Sequence, residues 1–216
     1  MTRGPLDSVV ATTRGDDGTT GLLYGGDRIA KDDARTEAYG TIDEAVAALG
    51  LARAQLGLKS RLGTLAPAFG DLDAVILRLQ RELFVAAAEL ATNPEAWDRL
   101  EDGRTRVSAA MVEELERMLQ EAERRITMPR EFVVPGETPT SAALEVARTI
   151  VRRAERRAVG LQRDGLVPGP HAIPYLNRLA DLLWVLARAA EAAESREAVP
   201  SRTSPRARRP DAPVSS

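Results

Sequence analysis

The sequence predicts an all-α fold, a five-helix up-and-down bundle. Ala, Leu, Arg and Glu dominate the 216 residues and only 4% are aromatic, a composition that favours helices packed through aliphatic side chains. Apolar residues recur with helical spacing in five separate segments. No segment shows the alternation that is typical of a strand. The chain is therefore interpreted as helices joined by short connections.

The first helix is predicted from about Asp33 until LKSRLG interrupts it. A second is predicted from Asp71, a residue type suited to an N-cap, to Leu90, after which TNPEAW and its Pro94 break the helix. Ser108 is predicted to cap a third helix. The positions with helical spacing are Ile42, Val46, Leu49 and Arg53 in the first helix, Leu72, Val75, Ile76, Leu79, Leu83, Ala86 and Leu90 in the second, and Val112, Leu115, Leu119, Ala122 and Ile126 in the third.

The fourth and fifth helices carry the clearest periodicity. The fourth is predicted to open at Thr140 or Ser141, after the break at Pro135–Gly136, and the fifth near Pro174, whose missing N–H costs nothing at a helix start. Steps of three and four along each helix form an apolar seam of the kind that packs in bundles. The seams are Leu144, Ala147, Val151, Ala154, Ala158 and Leu161, and Leu176, Leu179, Leu183, Leu186, Ala190 and Ala193.

The predicted domain organisation has three parts. Residues 1–32 form a polar, glycine-rich loop region, 33–194 form the bundle, and 195–216, rich in Arg, Pro and Ser, form a disordered tail. The arginines of the tail are interpreted as solvated charge rather than a nucleic-acid contact.

Composition excludes several classes of protein. The chain has no cysteine, so disulfides, thiolate catalysis and Cys-based metal sites are ruled out. A di-iron bundle needs two Glu-x-x-His pairs, and the chain has one histidine. The net charge of -2 does not favour a general nucleic-acid or membrane-surface binder. With neither a signal-peptide apolar region nor a membrane span, we expect a cytoplasmic protein.

Polar residues form a stripe beside the seam on each of the last two helices. The first stripe is Arg148, Arg152 and Glu155, and the second is Asn177, Asp181 and Arg188. Two adjacent stripes suggest a lined cleft or a subunit interface, and arginines suit phosphate groups. The alternative is a set of ordinary surface ion pairs.

The glycine-rich stretch TTRGDDGTTG, beginning at Thr12, also has two interpretations. Such loops let backbone N–H groups approach phosphates, and threonine hydroxyls add donors. However, the stretch is not a Walker A motif, and Asp16 and Asp17 repel phosphate unless Mg²⁺ or nearby cations compensate. Spacing alone favours a frayed leader.

Three segments together resemble the PduO-type ATP:cob(I)alamin adenosyltransferases. TRGDDGTTGLLYGGDRIAKDDARTEAYGTIDEAVAALG is similar to the family's Gly-Asp-x-Gly-x-Thr loop, lysine and Tyr-Gly-x-x-Asp-Glu helix start. FVVPGETPTSAALEVARTIVRRAER resembles its Phe-x-x-Pro-Gly turn and arginine-rich helix, and YLNRLADLLWVLAR resembles its Leu-Asn-Arg-Leu-x-Asp signature. The segments occur in the family's order and span roughly residues 11–194.

The resemblance implies a homotrimer with active sites between neighbouring subunits. ATP and Mg²⁺ would be bound by the N-terminal loop of one subunit and the fourth helix of the next, and no residue is assigned as a direct metal ligand. The implied ATP-binding residues are Thr12, Thr13, Arg14, Gly15, Asp16, Gly18, Thr20, Gly21, Lys31, Arg152, Arg153, Glu155, Arg156 and Asn177. The implied catalytic residues are Arg152, Lys31, Asp43 and Arg148, the last two as a pair that bridges subunits.

Phe132 and Trp184 are the implied corrinoid contacts, Phe132 matching an aromatic that crowds the lower face of the corrin ring. The chain departs from the family pattern at Glu137, where a second glycine is usual, and at Glu145, where histidine is common.

The implied reaction transfers the 5′-deoxyadenosyl group of ATP to the cobalt of cob(I)alamin, giving adenosylcobalamin and triphosphate. Co(I) is itself the nucleophile, so the protein needs to supply alignment and cations rather than an acid or a base. Partners would be a cobalamin reductase or an adenosylcobalamin-dependent enzyme. The alternatives are a non-catalytic carrier of ATP or corrinoid on the same fold, and a bundle whose polar stripes only mediate assembly.

Overall fold

The computed structural model describes residues 11–61 and 72–202, which are mostly helical. The α-helices are α1 (Ala34–Arg61), α2 (Leu72–Ala91), α3 (Ala109–Glu123), α4 (Pro139–Arg163) and α5 (Ala172–Ala193), with a 3₁₀ helix at Pro94–Arg99. Two antiparallel pairs join β1 (Thr19–Thr20) to β2 (Ile29–Ala30), and β3 (Val133–Val134) to β4 (Val199–Pro200). The prediction of no strands is therefore wrong, because pairs of two residues are too short to produce a periodic pattern.

Side-chain contacts between helices show which neighbours run antiparallel. Gln80 of α2 donates to the Val46 carbonyl of α1 at 2.9 Å, and Asp73, earlier on α2, accepts from Arg53, later on α1. α4 also runs antiparallel to α1, because Arg157 forms an ion pair with Glu37 while Arg153, earlier on α4, forms one with Glu44, later on α1. It also runs antiparallel to α5, as the contacts of Glu155 with Asn177 and Glu145 with Arg188 require.

The core lies where the predicted seams meet. All six seam residues of α4 are buried, and in α5 Leu176, Leu179, Leu183, Leu186 and Ala190 are buried while Ala193 is half-buried. Ile42 and Leu49 of α1 and Ile76, Leu79 and Leu83 of α2 join the same cluster. The periodicity of the sequence therefore predicts the inward faces correctly.

Helix ends differ from the predictions where capping competes with propensity. α4 begins at Pro139 rather than Thr140 or Ser141, because Thr138 and Ser141 form a reciprocal capping box and Pro139 suits the first turn. α5 begins at Ala172, which places Pro174 in the first turn as predicted.

Two further boundaries are corrected. α1 continues through LKSR to Arg61, since Leu, Lys and Arg are good helix formers. α3 is capped by Ser108 as predicted but ends at Glu123, so Ile126 lies beyond it; Pro129 disfavours helix in the residue before it. The predicted N-cap Asp71 lies outside the described residues.

The start of the segment predicted to be a disordered tail is hydrogen-bonded to the turn before α4. Val199–Pro200 pair with Val133–Val134, and the Ser201 N–H donates to the Phe132 carbonyl at 2.7 Å. The remainder of that segment, 203–216, lies outside the described residues, as do residues 1–10.

Candidate functional site

The N-terminal loop is a compact structure closed by the β1–β2 pair. Asp16 N–H donates to the Thr13 carbonyl, Gly18 N–H to the Gly15 carbonyl, and Lys31 N–H to the Gly18 carbonyl at 2.9 Å. Gly18 has a φ of 80°, a conformation that glycine adopts without strain. The loop is thus folded back on itself rather than frayed, and the interpretation as a leader is wrong.

Arg28, the residue before β2, hydrogen-bonds to the first half of this loop. Its Nη2 donates to the Arg14 carbonyl at 2.8 Å and to the Thr19 carbonyl at 2.9 Å, and its Nε donates to Thr19 Oγ1 at 2.7 Å. Asp17 accepts from the N–H and the hydroxyl of Thr19, and these bonds hold the pKa of Asp17 below its usual value. Arg28 and Asp17 are therefore occupied within the loop.

Lys31 lies over the loop. A Cβ at Gly15 would come within 2.9 Å of Lys31 Nζ, so glycine at this position lets the ammonium group approach the backbone. The predicted nucleotide residues of this region lie in one short segment and most of them are exposed. The exposed ones are Thr12, Thr13, Arg14, Asp16, Gly18, Gly21 and Lys31, and the half-buried ones are Gly15 and Thr20. An exposed lysine held over a glycine-rich loop can bind an anion.

A second group of predicted residues lines a cavity of about 400 Å³ between α4, α5 and the turn that contains β3. This volume lies in the range of small-molecule sites. Arg148, Arg152 and Asp181 line it together with Phe132 and Trp184. The polar stripes of α4 and α5 therefore meet at a cleft, one of the two predicted alternatives.

The aromatic residues occupy different positions at this cavity. Phe132 is 87% exposed, beside β3, while Trp184 is half-buried on α5. The Arg188 guanidinium lies 5.5 Å from the centre of the Trp184 ring, within the range of a cation–π contact. The predicted corrinoid contacts are thus on the same cavity as the arginines.

The remaining predicted residues of α4 and α5 make contacts within the chain. Asn177 Nδ2 donates to Glu155 Oε1 at 3.0 Å, and Arg156 donates to the Arg152 carbonyl at 3.0 Å. Arg153 pairs with Glu44 of α1, and its buried Nε has no partner in the described part of the chain.

The predicted pair of Asp43 and Arg148 is not formed within one chain. Asp43 is exposed on α1, and Arg148 donates through Nε to Glu145 at 2.6 Å instead. Within the described part of the chain, no hydrogen bond joins Thr12–Lys31 to the arginines of α4. The candidate site residues therefore form two separate groups in the protomer.

Comparison with known proteins identifies the family. A sequence model described as cobalamin adenosyltransferase matches residues 10–190. The chain belongs to this family. It is 37% identical over 182 residues to a corrinoid adenosyltransferase of Citrobacter freundii, covering 84% of this chain and 94% of the relative. It is 36% identical to a corrinoid adenosyltransferase of Bacillus subtilis, covering 84% and 86%.

Solved structures of the family have the same fold. A variant PduO-type ATP:corrinoid adenosyltransferase from Lactobacillus reuteri, complexed with cobalamin and ATP, matches with a TM-score of 0.75 and 27% identity. The match covers 90% of this adenosyltransferase-family chain and 99% of the Lactobacillus chain. Another variant from the same organism, complexed with ATP, matches with a TM-score of 0.74 and 26% identity.

The contacts of three polar residues of this cobalamin adenosyltransferase fold were not predicted from the sequence. Arg28 organises the loop, Glu145 holds Arg148, and Arg188 is buried although it was assigned to a polar stripe. The only available signal was the departure at Glu145 from the family pattern. Partners that lie far apart along the chain leave no mark in local periodicity.

The described residues also lack two kinds of feature, a cluster of metal ligands and a membrane span. Within that part of the chain, no three His, Cys, Asp or Glu side chains are grouped so that they could hold a metal ion. No helix there combines the length and the hydropathy that crossing a bilayer requires.

Proposed function

We propose that this protein transfers the 5′-deoxyadenosyl group of ATP to the cobalt of cob(I)alamin, giving adenosylcobalamin and triphosphate. The observation that carries the proposal is the cavity in which Arg148 and Arg152 lie beside Phe132 and Trp184, in a chain of the cobalamin adenosyltransferase family. Cationic and aromatic groups on one cavity suit two substrates, one anionic and one a large flat ring.

The chemistry places few demands on the protein's own side chains. Co(I) uses an electron pair to form the Co–C bond at the ribose 5′-carbon, and the C–O bond to triphosphate breaks with its electrons on oxygen. Arg152 and Lys31 are the groups we assign to the developing charge on that oxygen and its phosphates. We assign Arg14, Arg153 and Arg156 to ATP binding, together with Glu155 and Asn177, which are hydrogen-bonded to each other.

The loop also fits a magnesium ion that arrives with ATP. Mg²⁺ prefers hard oxygen ligands and usually binds through one or two carboxylates together with substrate phosphates. Asp16 is an exposed carboxylate of the loop, and its backbone N–H donates to the Thr13 carbonyl, so its position in the loop is fixed. We assign Asp16 as the residue that would hold the ion, which would supply additional positive charge at the phosphates.

The two separate groups of site residues support a homotrimer. The loop of one subunit would complete the α4 site of the next, and exposed Asp43 would meet Arg148 of a neighbour. An exposed apolar stripe continues along α1 from Asp43. It consists of Ala47, Leu51, Ala54 and Leu58, of which Leu51 is 53% exposed. Exposed apolar surface of this kind is typical of a protein interface.

The corrinoid chemistry also defines the partners. The substrate must be reduced to Co(I), which calls for a cobalamin reductase or an equivalent donor, and the product calls for an adenosylcobalamin-dependent enzyme. The cytoplasmic location and the division into loop region, bundle and tail remain predictions.

The first test is turnover. Purified protein with ATP, Mg²⁺ and chemically reduced cobalamin, kept anaerobic, is expected to form adenosylcobalamin, measured by its absorbance. Arg152→Ala is expected to lower kcat about 100-fold or more, because it removes a cation at the leaving group, while leaving the oligomer intact.

Arg163→Ala, at the last residue of α4, is the matched control and should turn over at the wild-type rate. A folded oligomer that binds ATP and cobalamin without forming product would favour the carrier alternative. An oligomer that gains no thermal stability from ATP and Mg²⁺ would favour the assembly module, because a ligand of the native state raises the melting temperature.

A further inference from the structure

Glu145 lies one turn before Arg148 on α4 and is almost completely buried, with a side chain only 5% exposed. Its two carboxylate oxygens are divided between two arginines. Oε2 accepts from Arg148 Nε at 2.6 Å, and Oε1 accepts from Arg188 Nη1 of α5 at 3.1 Å. The carboxylate therefore connects a residue of the candidate site to a buried cation in the core.

Arg188 is held independently of Glu145. Its side chain is 3% exposed, and its Nε and Nη2 donate to the two oxygens of Glu191, each at 2.8 Å. This bidentate pair is the strong form of a carboxylate–arginine contact. Arg188 and Glu191 would therefore remain a neutral, bonded pair if Glu145 lost its charge.

The consequence for Arg148 is a fixed orientation. Its Nε is bonded to Glu145, and its two terminal nitrogens have no partner in the described part of the chain. Arg148 and Glu145 both line the cavity that contains Phe132 and Trp184. One face of the guanidinium is thus anchored to the protein while the other is left for a substrate or a neighbouring subunit.

We propose that Glu145 is a positioning residue, which acts on the reaction by holding Arg148 at the corrinoid end of the cavity. The proposal rests on the proposed function. It assigns the orientation of Arg148 to a contact within the protomer, where the resemblance implies a contact with Asp43 across subunits.

The test is a double-mutant cycle between Glu145→Gln and Arg148→Ala. We expect Glu145→Gln to lower kcat/KM for cobalamin about tenfold while KM for ATP stays within about twofold, since the variant replaces a hydrogen bond between two charged groups by a weaker one to a neutral amide. In the Arg148→Ala background, Glu145→Gln should have no further effect, because Glu145 acts through Arg148.

Glu191→Gln is the matched control. It removes a buried carboxylate from the same Arg188 but does not touch Arg148. We expect a lower melting temperature and a kcat/KM within about twofold of wild type. Glu145→Asp provides a second variant that keeps the buried charge and shortens the side chain away from Arg148, and it should show the same non-additivity if Glu145→Gln fails to fold.

Additive effects in the cycle, or a Glu145→Gln enzyme with wild-type kcat/KM, would overturn the positioning role. Inactive wild-type protein would instead contradict the proposed function. In that case the same cycle is measured on the Kd for cob(II)alamin, followed by its absorbance, where non-additivity again supports the role and additivity again contradicts it.

Discussion

Glu89 shows how much a single buried residue determines in this fold. It lies in the last turn of α2 with 0% exposure, and its Oε2 accepts from the Val107 N–H at 2.8 Å. Its Oε1 lies against the backbone of Gly169, where an added Cβ would come within 2.7 Å of it. Burial raises the pKa of Glu89, although the N–H groups of Val107 and Gly169 oppose this effect.

The raised pKa predicts a pH-dependent stability. Between the ordinary pKa of 4.5 and the raised value, the native state holds a proton that the unfolded state has lost. The free energy of unfolding therefore loses the contribution of Glu89 as pH rises through this window. Glu89→Gln cannot ionise, so its stability relative to wild type should increase from pH 4 to pH 8, measured by urea unfolding at each pH.

Asp17, Asp33 and Glu114 have lowered pKa values, so they make the free energy of unfolding rise with pH in both proteins. Subtracting the free energy of unfolding of wild type from that of Glu89→Gln at each pH removes this shared contribution. Glu113→Gln on α3, an exposed carboxylate, serves as the control and should show no trend. If the difference in free energy of unfolding between Glu89→Gln and wild type does not change with pH, the ionised Glu89 carboxylate is not the destabilising form.

At the scale of elements, the loop that precedes α1 is attached at two places. Arg28 ties its first half to the β1–β2 pair. Its second half is attached to the end of α2, where the Leu23 N–H donates to the Ala91 carbonyl at 2.9 Å and the Asn93 N–H donates to the Leu23 carbonyl at 3.1 Å. These contacts attach the loop both to the strand pair and to α2.

Pre-ordering of this kind predicts the effect of removing Arg28. Arg28→Ala deletes three hydrogen bonds that fold the loop, so ATP must pay for ordering it on binding. We expect Kd for ATP to increase about tenfold or more, at about 0.5–1.5 kcal/mol per bond, measured by isothermal titration calorimetry.

Arg28→Lys should restore little, since an ammonium group cannot reproduce the spread of Nε and Nη2. Arg104→Ala removes an arginine that pairs only with nearby Glu101 on the surface, and ATP binding should be unchanged. An Arg28→Ala protein with the wild-type Kd would show that the loop orders independently of this side chain.

At the scale of the whole molecule, the proposed assembly explains why the site residues are divided between two groups. A monomer would leave the loop and the arginines of α4 unconnected and the α1 stripe exposed. Association of the protomers would bury that stripe and bring the two groups together. Activity and oligomeric state are therefore expected to change together.

Leu51→Asp tests this coupling. Leu51 is exposed, so the change should leave the fold of the protomer intact by circular dichroism while placing a charge in the proposed interface. We expect the trimer to dissociate on sedimentation and kcat to fall about tenfold or more, because each site would lose residues from its neighbour.

Phe84→Asp, at an apolar residue of α2 with 57% exposure, is the matched control and should stay trimeric and active. A Leu51→Asp protein that remains trimeric would remove the α1 stripe from the interface. A monomeric Leu51→Asp protein with full activity would contradict the proposal of sites shared between subunits.

Local pattern and capping chemistry explain which parts of the fold were predictable. The seams of α4 and α5 follow from periodicity because burial acts on every helical turn. The start of α4 was misplaced since Thr138, Thr140 and Ser141 are all capable caps, and only the reciprocal bond of Thr138 and Ser141 distinguishes them. The strand pairs were missed because segments of two residues are too short to show a period, and because β3 pairs with β4 from the far end of the chain.

The sequence by itself determined that this protein is helical, where its apolar faces lie and which family it resembles, because these properties depend on spacing and on motifs of adjacent residues. The tertiary structure decided the partners of the charged residues. Arg188 shares a polar stripe with Asn177 and Asp181, yet it is buried against Glu145, which is 43 residues away. Long-range packing determines which charges are desolvated, and local spacing contains no record of it.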